Sequence, residues 1–319
     1  MQKPQLTVVL CSHNPRRDYL QRTLNSLRAQ TLPQEEWEFL LIDNASNPPL
    51  SGAWDLSWHP NARHIVENTL GLAAARERGM KESVSDLLVF VDDDTPLSHT
   101  YLAQALEIKD KWPMLGVWGS GSVIPEYELE PAEDLKDLMS FFAIRVADKP
   151  HWSNVYPCIE ANPWGAGSCV RAKVADAYRR MTGDSSIWIS GRKGSSRFSS
   201  EDIEIAWVAC DIGLGMGLFP ELSLTHLISK ERVSREYILK IIEGWKASEI
   251  LLAYKWKGHL PSSPLRPRGL LSFLKNMIVQ KGINRHTYLA RIRGTILARS
   301  IIAASRPKLS SHQAIQSHS

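Results

Sequence analysis

The sequence predicts an α/β fold in which a mostly parallel sheet is flanked by helices and followed by a helical C-terminal extension. Up to about residue 120, short apolar segments alternate with segments of helical periodicity. The apolar run at residues 87–91 has no polar interruption, as expected for a strand buried on both faces of a parallel sheet. Beyond residue 230 the pattern is helical and basic. Together these observations predict one sheet with crossover helices.

The predicted elements follow one another in regular order. Residues 6–11 form a first strand because they are almost entirely apolar, and residues 15–29 form a helix because Leu20, Leu24 and Leu27 recur at helical spacing. Later strands are predicted at residues 37–42, 63–67, 87–92 and 115–118, and later helices at residues 71–83, 98–109, 234–256, 269–304 and from residue 201 onward.

Residues 183–200 interrupt this order with a segment rich in Gly and Ser. The segment carries Arg192, Lys193 and Arg197, which suit a phosphate group. A loop of this length inside a compact domain is usually a lid, a binding loop or a disordered segment. We predict a mobile lid that orders over a bound ligand.

Composition restricts the class of protein. The chain has 319 residues, of which 43% are hydrophobic, so a full core is available. Its four cysteines include no CxxC pair, which argues against a zinc site or a disulfide framework and fits a reducing compartment. The sequence shows neither a secretory signal pattern nor an apolar stretch of about 18 residues, so we expect a cytoplasmic protein.

Charge divides the chain near residue 230. Residues 231–319 contain 16 basic and 4 acidic residues, whereas residues 1–230 are net acidic. We therefore predict a first domain at 1–230 and a basic, mainly helical extension at 231–319. The extension either binds an anionic membrane surface through residues 265–308 or packs on the first domain with its charge solvated. No nucleic-acid motif accompanies the charge, so we do not expect a nucleic-acid partner.

Three consecutive carboxylates, Asp92, Asp93 and Asp94, end the apolar run. Ligands of open α/β sheets bind at the carboxyl ends of the strands. Three such groups repel one another, and oxygen ligands suit Mg²⁺ or Mn²⁺. The alternative interpretation is an acidic turn that caps the next helix, since Thr95 and Pro96 follow.

The order of motifs resembles the family 2 glycosyltransferases, which are inverting enzymes with the Rossmann-like GT-A fold. The resemblance covers roughly residues 5–230, and its motifs are specific only when taken together. It rests on five stretches in family order, namely residues 7–14 with Arg16, residues 41–46, residues 67–76, residues 89–94 and the pair Glu201-Asp202.

This resemblance implies a nucleotide-sugar donor. The residues that it assigns to the nucleoside are Ser12, His13, Asn14 and Asp43. The family more usually has Tyr at the position of His13, so the resemblance does not determine which nucleobase the donor carries. For Asp43 the alternative is an Asx-turn or a helix cap.

The resemblance places Asn68, Gly71 and Arg76 near the donor as well. Gly71 permits close approach of the backbone at a helix start, and Arg76 would add charge to the diphosphate. Alternatively, Arg76 is an exposed helix charge.

Within the acidic run, the resemblance places Asp92 near the ribose and makes Asp94 the ligand of Mn²⁺ or Mg²⁺. Asp93 is either structural or touches the sugar. His226 would be a further metal or diphosphate ligand or else a structural strand residue, and Arg232 in the following loop lies within reach of the diphosphate.

Catalysis would rest on the late acidic pair. By resemblance, Asp202 is the general base that accepts the acceptor's proton, and Glu201 positions the base or the acceptor. The alternative for this pair is an acidic first turn of a helix. Trp164 and Gly165 would bind the acceptor, unless Trp164 belongs to the core.

The implied function is a metal-dependent hexosyl- or related transferase. It would move a sugar from a nucleotide-diphospho-sugar to a hydroxyl of a carbohydrate or lipid-linked acceptor, in surface polysaccharide or glycoconjugate synthesis. It would act in the cytoplasm, with a peripheral contact to the inner face of the membrane as one option. The alternatives are a non-catalytic carbohydrate- or nucleotide-binding protein of the same fold and a sugar nucleotidyltransferase. The latter expects a Gly-rich first loop, which residues 12–17 lack.

Overall fold

The computed structural model describes residues 3–183, 200–258, 260 and 267–305, with side chains of 183 and 267–272 excepted. Nine strands form one sheet. The strands are β1 (Leu6–Ser12), β2 (Trp37–Asp43), β3 (Ala62–Val66), β4 (Leu87–Asp92), β5 (Leu115–Tyr127), β6 (Arg145–Val146), β7 (His151–Ser153), β8 (Cys169–Arg171) and β9 (Gly215–Ile228). The α-helices are α1 (Arg17–Arg28), α2 (Leu72–Glu82), α3 (Tyr101–Lys111), α4 (Ala172–Gly183), α5 (Glu201–Asp211), α6 (Arg235–Lys257), α7 (Pro267–Val279) and α8 (Gly282–Ser305), and a 3-10 helix spans Glu133–Phe142.

The sheet has the order β3-β2-β1-β4-β8-β5-β9-β7, with β6 paired to β5. The first four strands are parallel, and β5 and β9 are parallel to each other. The short strand β8 runs antiparallel to both β4 and β5 and so joins the two parallel groups. The α/β fold predicted from sequence is confirmed, although its sheet is mixed beyond β4.

Two elements differ from their predicted extents. Strand β5 has 13 residues where the sequence indicated only residues 115–118. Its second half contains Gly121, where an added Cβ would lie 2.6 Å from the carbonyl carbon of Phe219, so the close approach of β9 requires glycine. The predicted helix at residues 269–304 is two helices, and Gly282 at φ +52° lies where they separate.

Helices cover both faces of the sheet because side chains of β1 alternate between two cores. Val8 packs with residues of α1 and α3, including Leu24 and Leu102. Val9 packs on the other face with residues of α4 and α5, including Val174. This arrangement leaves the carboxyl ends of β1 and β4 open at one edge.

The C-terminal helices pack on the rest of the chain. Ile238 and Ile242 of α6 join Met139 and Phe142 of the 3-10 helix in one buried cluster. Helix α8 lies against α6 so closely that a Cβ at Gly294 would come within 2.4 Å of the carbonyl oxygen of Glu243. The predicted domain boundary at residue 230 stays a prediction. None of the described helices is long and apolar enough to cross a membrane.

Candidate active site

A cavity of about 470 Å³ opens at the carboxyl ends of β1 and β4. Parallel pairing sets Cys11 beside Asp92 there. Twelve of the sequence-predicted residues line the cavity, namely Ser12, His13, Gly71, Arg76, Asp92, Asp93, Asp94, Trp164, Gly165, Asp202, His226 and Arg232. Residues from both halves of the chain therefore meet in one place, as a common site requires.

The acidic run faces this cavity. Thr95 closes a tight turn, since its backbone N–H and its hydroxyl both donate to the carbonyl of Asp92. Helix α3 begins only at Tyr101 with Thr100 at its N-cap, so the run does not cap that helix. The Ser12 hydroxyl donates to Asp93 Oδ2 at 2.5 Å. Burial, reinforced by the neighbouring Asp94 charge, raises the pKa of Asp93 to about 7.

Arg76 lies beneath the cavity and joins two carboxylates. Its Nη1 is 2.8 Å from Glu201 Oε1, and its Nη2 is 3.0 Å from Asp92 Oδ1. Although burial disfavours its charge, Asp92 and Glu201 more than offset this effect and raise the pKa of Arg76. Arg76 is therefore a buried ion-pair centre and not an exposed helix charge, and contact with a diphosphate stays a prediction.

The two members of the late acidic pair have different surroundings. Glu201 is 1% exposed and does not line the cavity, because it faces Arg76. Asp202 does line it, and the backbone N–H of Gly165 donates to Asp202 Oδ2 at 2.8 Å. Its other oxygen accepts from the backbone N–H of Ile203. At the start of α5, Asp202 thus faces the cavity, whereas Glu201 forms the buried ion pair with Arg76.

Gly165 forms the floor between these groups. A Cβ at this position would lie 2.3 Å from Arg76 Nη2, so only glycine fits above the guanidinium. The neighbouring Trp164 is half-buried, with its ring centroid 5.1 Å from Trp245, and Arg145 lies 4.5 Å over it. Burial lowers the pKa of Arg145 to about 9. Trp164 therefore both lines the cavity and packs against Trp245 and Arg145.

The residues predicted to hold the nucleoside divide into two groups. Ser12 and His13 line the cavity, whereas Asn14 and Asp43 do not. Both Asp43 oxygens accept backbone N–H bonds, from Ser46 and Leu50 at 2.8 and 2.9 Å. This geometry matches the loop-forming interpretation of Asp43.

Asn44 is a site residue that sequence reasoning missed. Its amide nitrogen donates to the carbonyls of Glu67 and Thr69, and its Oδ1 accepts from the N–H of Gly71 at 2.8 Å. Gly71 has φ +138°, which favours glycine, and helix α2 begins directly after it. Asn68 lies in the segment 67–71, whose backbone is hydrogen-bonded to Asn44, but it does not line the cavity. The sequence signals for Asn44 were its position directly after the second strand and its place in the stretch 41–46 that carries the family resemblance.

Asp94 and His226 approach each other in the wall of the cavity. Asp94 Oδ2 is 3.7 Å from His226 Nε2 and 2.6 Å from Arg232 Nη1. His226 Nδ1 donates to the carbonyl of Phe142, which orients the ring so that Nε2 faces Asp94.

This donor set fits a divalent cation that takes its remaining ligands from waters and substrate phosphates. The part of the chain that the structure describes contains no cluster of three or more His, Cys, Asp or Glu residues placed to hold a metal. Asp94 and His226 are the side chains that would hold Mg²⁺ or Mn²⁺ here, and metal binding by this pair stays a prediction.

An aromatic wall completes the cavity. It consists of Phe141 and Phe142 from the 3-10 helix and Trp245 from α6. No motif signalled these residues, because Phe141 and Phe142 lie outside every predicted element and Trp245 lies within the predicted helix at residues 234–256. The predicted lid at residues 183–200 lies almost wholly outside the described residues, and its behaviour stays a prediction.

The model of the family described as "Glycosyl transferase family 2" matches residues 7–159. No curated protein matches the sequence.

Solved structures share the fold at low identity. A structure of S. aureus TarS 1–349 in complex with UDP superposes with a TM-score of 0.50 at 14% identity, covering 94% of this chain and 90% of that one. A longer S. aureus TarS structure gives 0.50 at 13% identity, covering 94% of this chain and 55% of that one. A structure of GalNAc-T7 with UDP, GalNAc and Mn²⁺ gives 0.50 at 15% identity, covering 79% and 51%. At these identities the likeness establishes the GT-A fold.

Proposed function

We propose that this protein is an inverting glycosyltransferase that uses a nucleotide-diphospho-sugar, since residues 7–159 match the model of glycosyl transferase family 2 and the fold is of the GT-A type. The observation that carries the proposal is the placement of Asp202 and the run Asp92 to Asp94 in one cavity. In this proposal Asp202 supplies the base. The acidic run, from a distant segment, binds the cation that neutralises the leaving diphosphate. Gly165, between Asp202 and the acidic run, leaves room for a sugar ring.

In the proposed reaction, Asp202 accepts the proton of an acceptor hydroxyl. The hydroxyl oxygen attacks the anomeric carbon while the bond from that carbon to the diphosphate oxygen breaks, which inverts the configuration. The N–H of Gly165 holds Asp202 Oδ2 in place, and Arg76 fixes the preceding Glu201. A divalent cation held by Asp94 and His226 would supply neutralisation of the charge that develops on the leaving diphosphate.

The donor we propose to test first is a UDP-sugar. Support comes from TarS and GalNAc-T7, whose structures contain UDP. The loop around His13, which lines the cavity, is where the nucleoside would bind. We propose Trp164, Gly165 and the aromatic wall as the acceptor side, because aromatic faces pack on sugar rings.

A thermal-shift screen of nucleoside-diphosphate sugars, with and without Mn²⁺, tests the donor class. A ligand at 100 times its Kd stabilises the folded protein by about 2.7 kcal/mol, which gives a clear rise in Tm. The absence of a shift with every nucleotide sugar would contradict the proposal. The anomeric configuration of the product, read by NMR, then tests inversion, because an α-linked donor should give a β-linked product.

Two alternatives make different predictions in the same assay. A non-catalytic binding protein would show the shift but no turnover of donor, either to acceptor or to water. A sugar nucleotidyltransferase would release pyrophosphate from a nucleoside triphosphate and a sugar phosphate. The presence of Asp202 in the cavity favours transfer.

We further propose that the enzyme works on surface polysaccharide or glycoconjugate acceptors, lipid-linked ones included, in peripheral contact with a cytoplasmic membrane face. The supporting observation is the exposure of Leu274, Ile278 and Val279 on α7, at 51, 79 and 61%, in a strongly basic region. Liposome sedimentation at low salt tests this contact. Recovery should be higher with anionic than with neutral vesicles and should fall with added salt. Equal recovery would favour helices that only pack on the first domain.

A further inference from the structure

A single oxygen of Asp94 has two neighbours of different chemistry. Arg232 Nη1 lies 2.6 Å from Asp94 Oδ2, and His226 Nε2 lies 3.7 Å from the same atom. The two protein atoms that would hold a cation are therefore in place, but a guanidinium already neutralises the carboxylate. This pairing joins residues 138 positions apart.

Arg232 is held firmly in this position. It lies in the turn between β9 and α6, and its backbone N–H donates to the carbonyl of Ser229. Its side chain is only 13% exposed, and its guanidinium lies 5.2 Å from the ring centroid of Phe142. Because a guanidinium does not lose its proton in proteins, this positive charge is permanent. A divalent cation that approaches Asp94 Oδ2 therefore meets a like charge at short range.

A diphosphate would remove this conflict. A planar guanidinium binds two phosphate oxygens side by side, and the diphosphate brings the negative charge that both positive groups need. We propose that Arg232 makes cation binding at Asp94 conditional on the donor: it neutralises Asp94 in the donor-free protein and exchanges onto the diphosphate when the donor binds. This inference rests on the proposed function, since the diphosphate is that of the sugar donor.

The proposal predicts two effects of opposite sign in Arg232→Met. The variant keeps most of the side-chain length but not the charge, so it should bind Mn²⁺ alone roughly tenfold or more tightly than the wild type. In EDTA it should bind UDP, or inorganic pyrophosphate, roughly tenfold or more weakly. General damage to the cavity would weaken both. Electron paramagnetic resonance of free Mn²⁺ gives the first affinity, and calorimetry in EDTA gives the second, both on the full chain.

Arg22→Met is the matched control, because Arg22 also pairs with a carboxylate, with Nη1 2.6 Å from Glu126 Oε1, but does not line the cavity. It should leave both affinities unchanged. If Arg232→Met fails to unfold cooperatively, Arg232→Gln replaces it, and Arg232→Lys, which keeps the charge, should restore weak Mn²⁺ binding.

The outcomes separate the two proposals. Unchanged or weaker Mn²⁺ affinity in a folded, uncharged Arg232 variant overturns the inference about Arg232. Tight Mn²⁺ binding by the wild type without any diphosphate overturns it as well. Failure of the wild type to bind UDP or pyrophosphate under any condition contradicts the donor proposal instead, and the Mn²⁺ measurement still reports whether Arg232 opposes the cation.

Discussion

Arg76 and Glu201 are 125 positions apart in the chain and form a buried ion pair of 2.8 Å, with side chains 4 and 1% exposed. The pair joins α2 to the first turn of α5 beside the cavity. A second bond from Arg76 to Asp92 extends it to the end of β4. The guanidinium of Arg76 thus fixes both the end of β4, through Asp92, and the start of α5, through Glu201. Asp202 is the next residue of α5.

Replacing Arg76 should destabilise the protein strongly. Arg76→Met leaves Glu201 buried without its charge partner, a change that typically costs about 3–5 kcal/mol. Arg78→Met is the control, because Arg78 lies on the same helix and pairs with Glu82 but is 35% exposed. It should change the free energy of unfolding by no more than about 0.5 kcal/mol. Urea unfolding of both variants measures the difference, and similar values would contradict a structural role for the buried pair.

Gly165 should not tolerate a methyl group. In Gly165→Ala the new Cβ would overlap Arg76 Nη2, so either the guanidinium or the floor of the cavity must shift. We expect overpacking of roughly 1–3 kcal/mol, together with loss of transferase activity because the N–H that holds Asp202 also moves. Gly52→Ala is the control, since a Cβ there has open space within 4 Å. Wild-type stability and activity in Gly165→Ala would show that the site relaxes freely.

Asp202→Asn tests the proposed general base. The amide keeps the shape of the side chain but does not accept the proton, so turnover should fall by about 10²–10⁴. Donor affinity, measured by calorimetry, should stay near that of the wild type. Asp211→Asn at the exposed end of the same helix is the control and should retain full turnover. Near-normal kcat in Asp202→Asn would assign the base elsewhere.

Asp94→Asn tests the proposed cation site. The variant should lose the gain in donor affinity that Mn²⁺ gives, because it removes one of the two protein ligands. Asp110→Asn, in the last turn of α3 and remote from the cavity, is the control. Calorimetric titration of UDP with and without Mn²⁺ provides the measurement. A Mn²⁺ effect equal to that of the wild type would remove Asp94 from the site.

His59 should make the protein sensitive to mild acid. It is 3% exposed and packs edge-on against Trp37 at a centroid distance of 4.1 Å. Burial lowers the pKa of His59 to about 4, against about 6.5 in an unfolded chain. Between these values only the unfolded state binds the proton, so the free energy of unfolding falls as pH drops from about 6.5 toward 4.

The measurement is the free energy of unfolding from urea titrations across pH 4–7. Acidic groups also titrate in this range, so the informative quantity is the difference between variants. His59→Gln should flatten the pH dependence, and His99→Gln, at an exposed position, serves as the control. An identical slope in His59→Gln and wild type would show that His59 accepts the proton without cost.

The first five strands along the chain and the position of the acidic run could be predicted from the sequence because both depend on local pattern. Residues 87–91 are apolar without interruption, and a strand buried on both faces needs no other information. The length of a strand or helix could be predicted only where apolar side chains recur with the period of that element. Gly119 and Gly121 directly follow the predicted part of β5 and have no side chain to mark the pleat, so the strand beyond residue 118 was missed.

The sequence by itself therefore determined the fold class, the family resemblance and the carboxylates at the strand ends. Only the tertiary structure decided how these groups are used. Arg76 turns to Glu201, Arg232 to Asp94, and Trp245 packs on Trp164, in each case across a long separation in the chain. The physical reason is that a buried charge or ring takes whichever partner packing brings within a few ångströms, and packing depends on the whole chain.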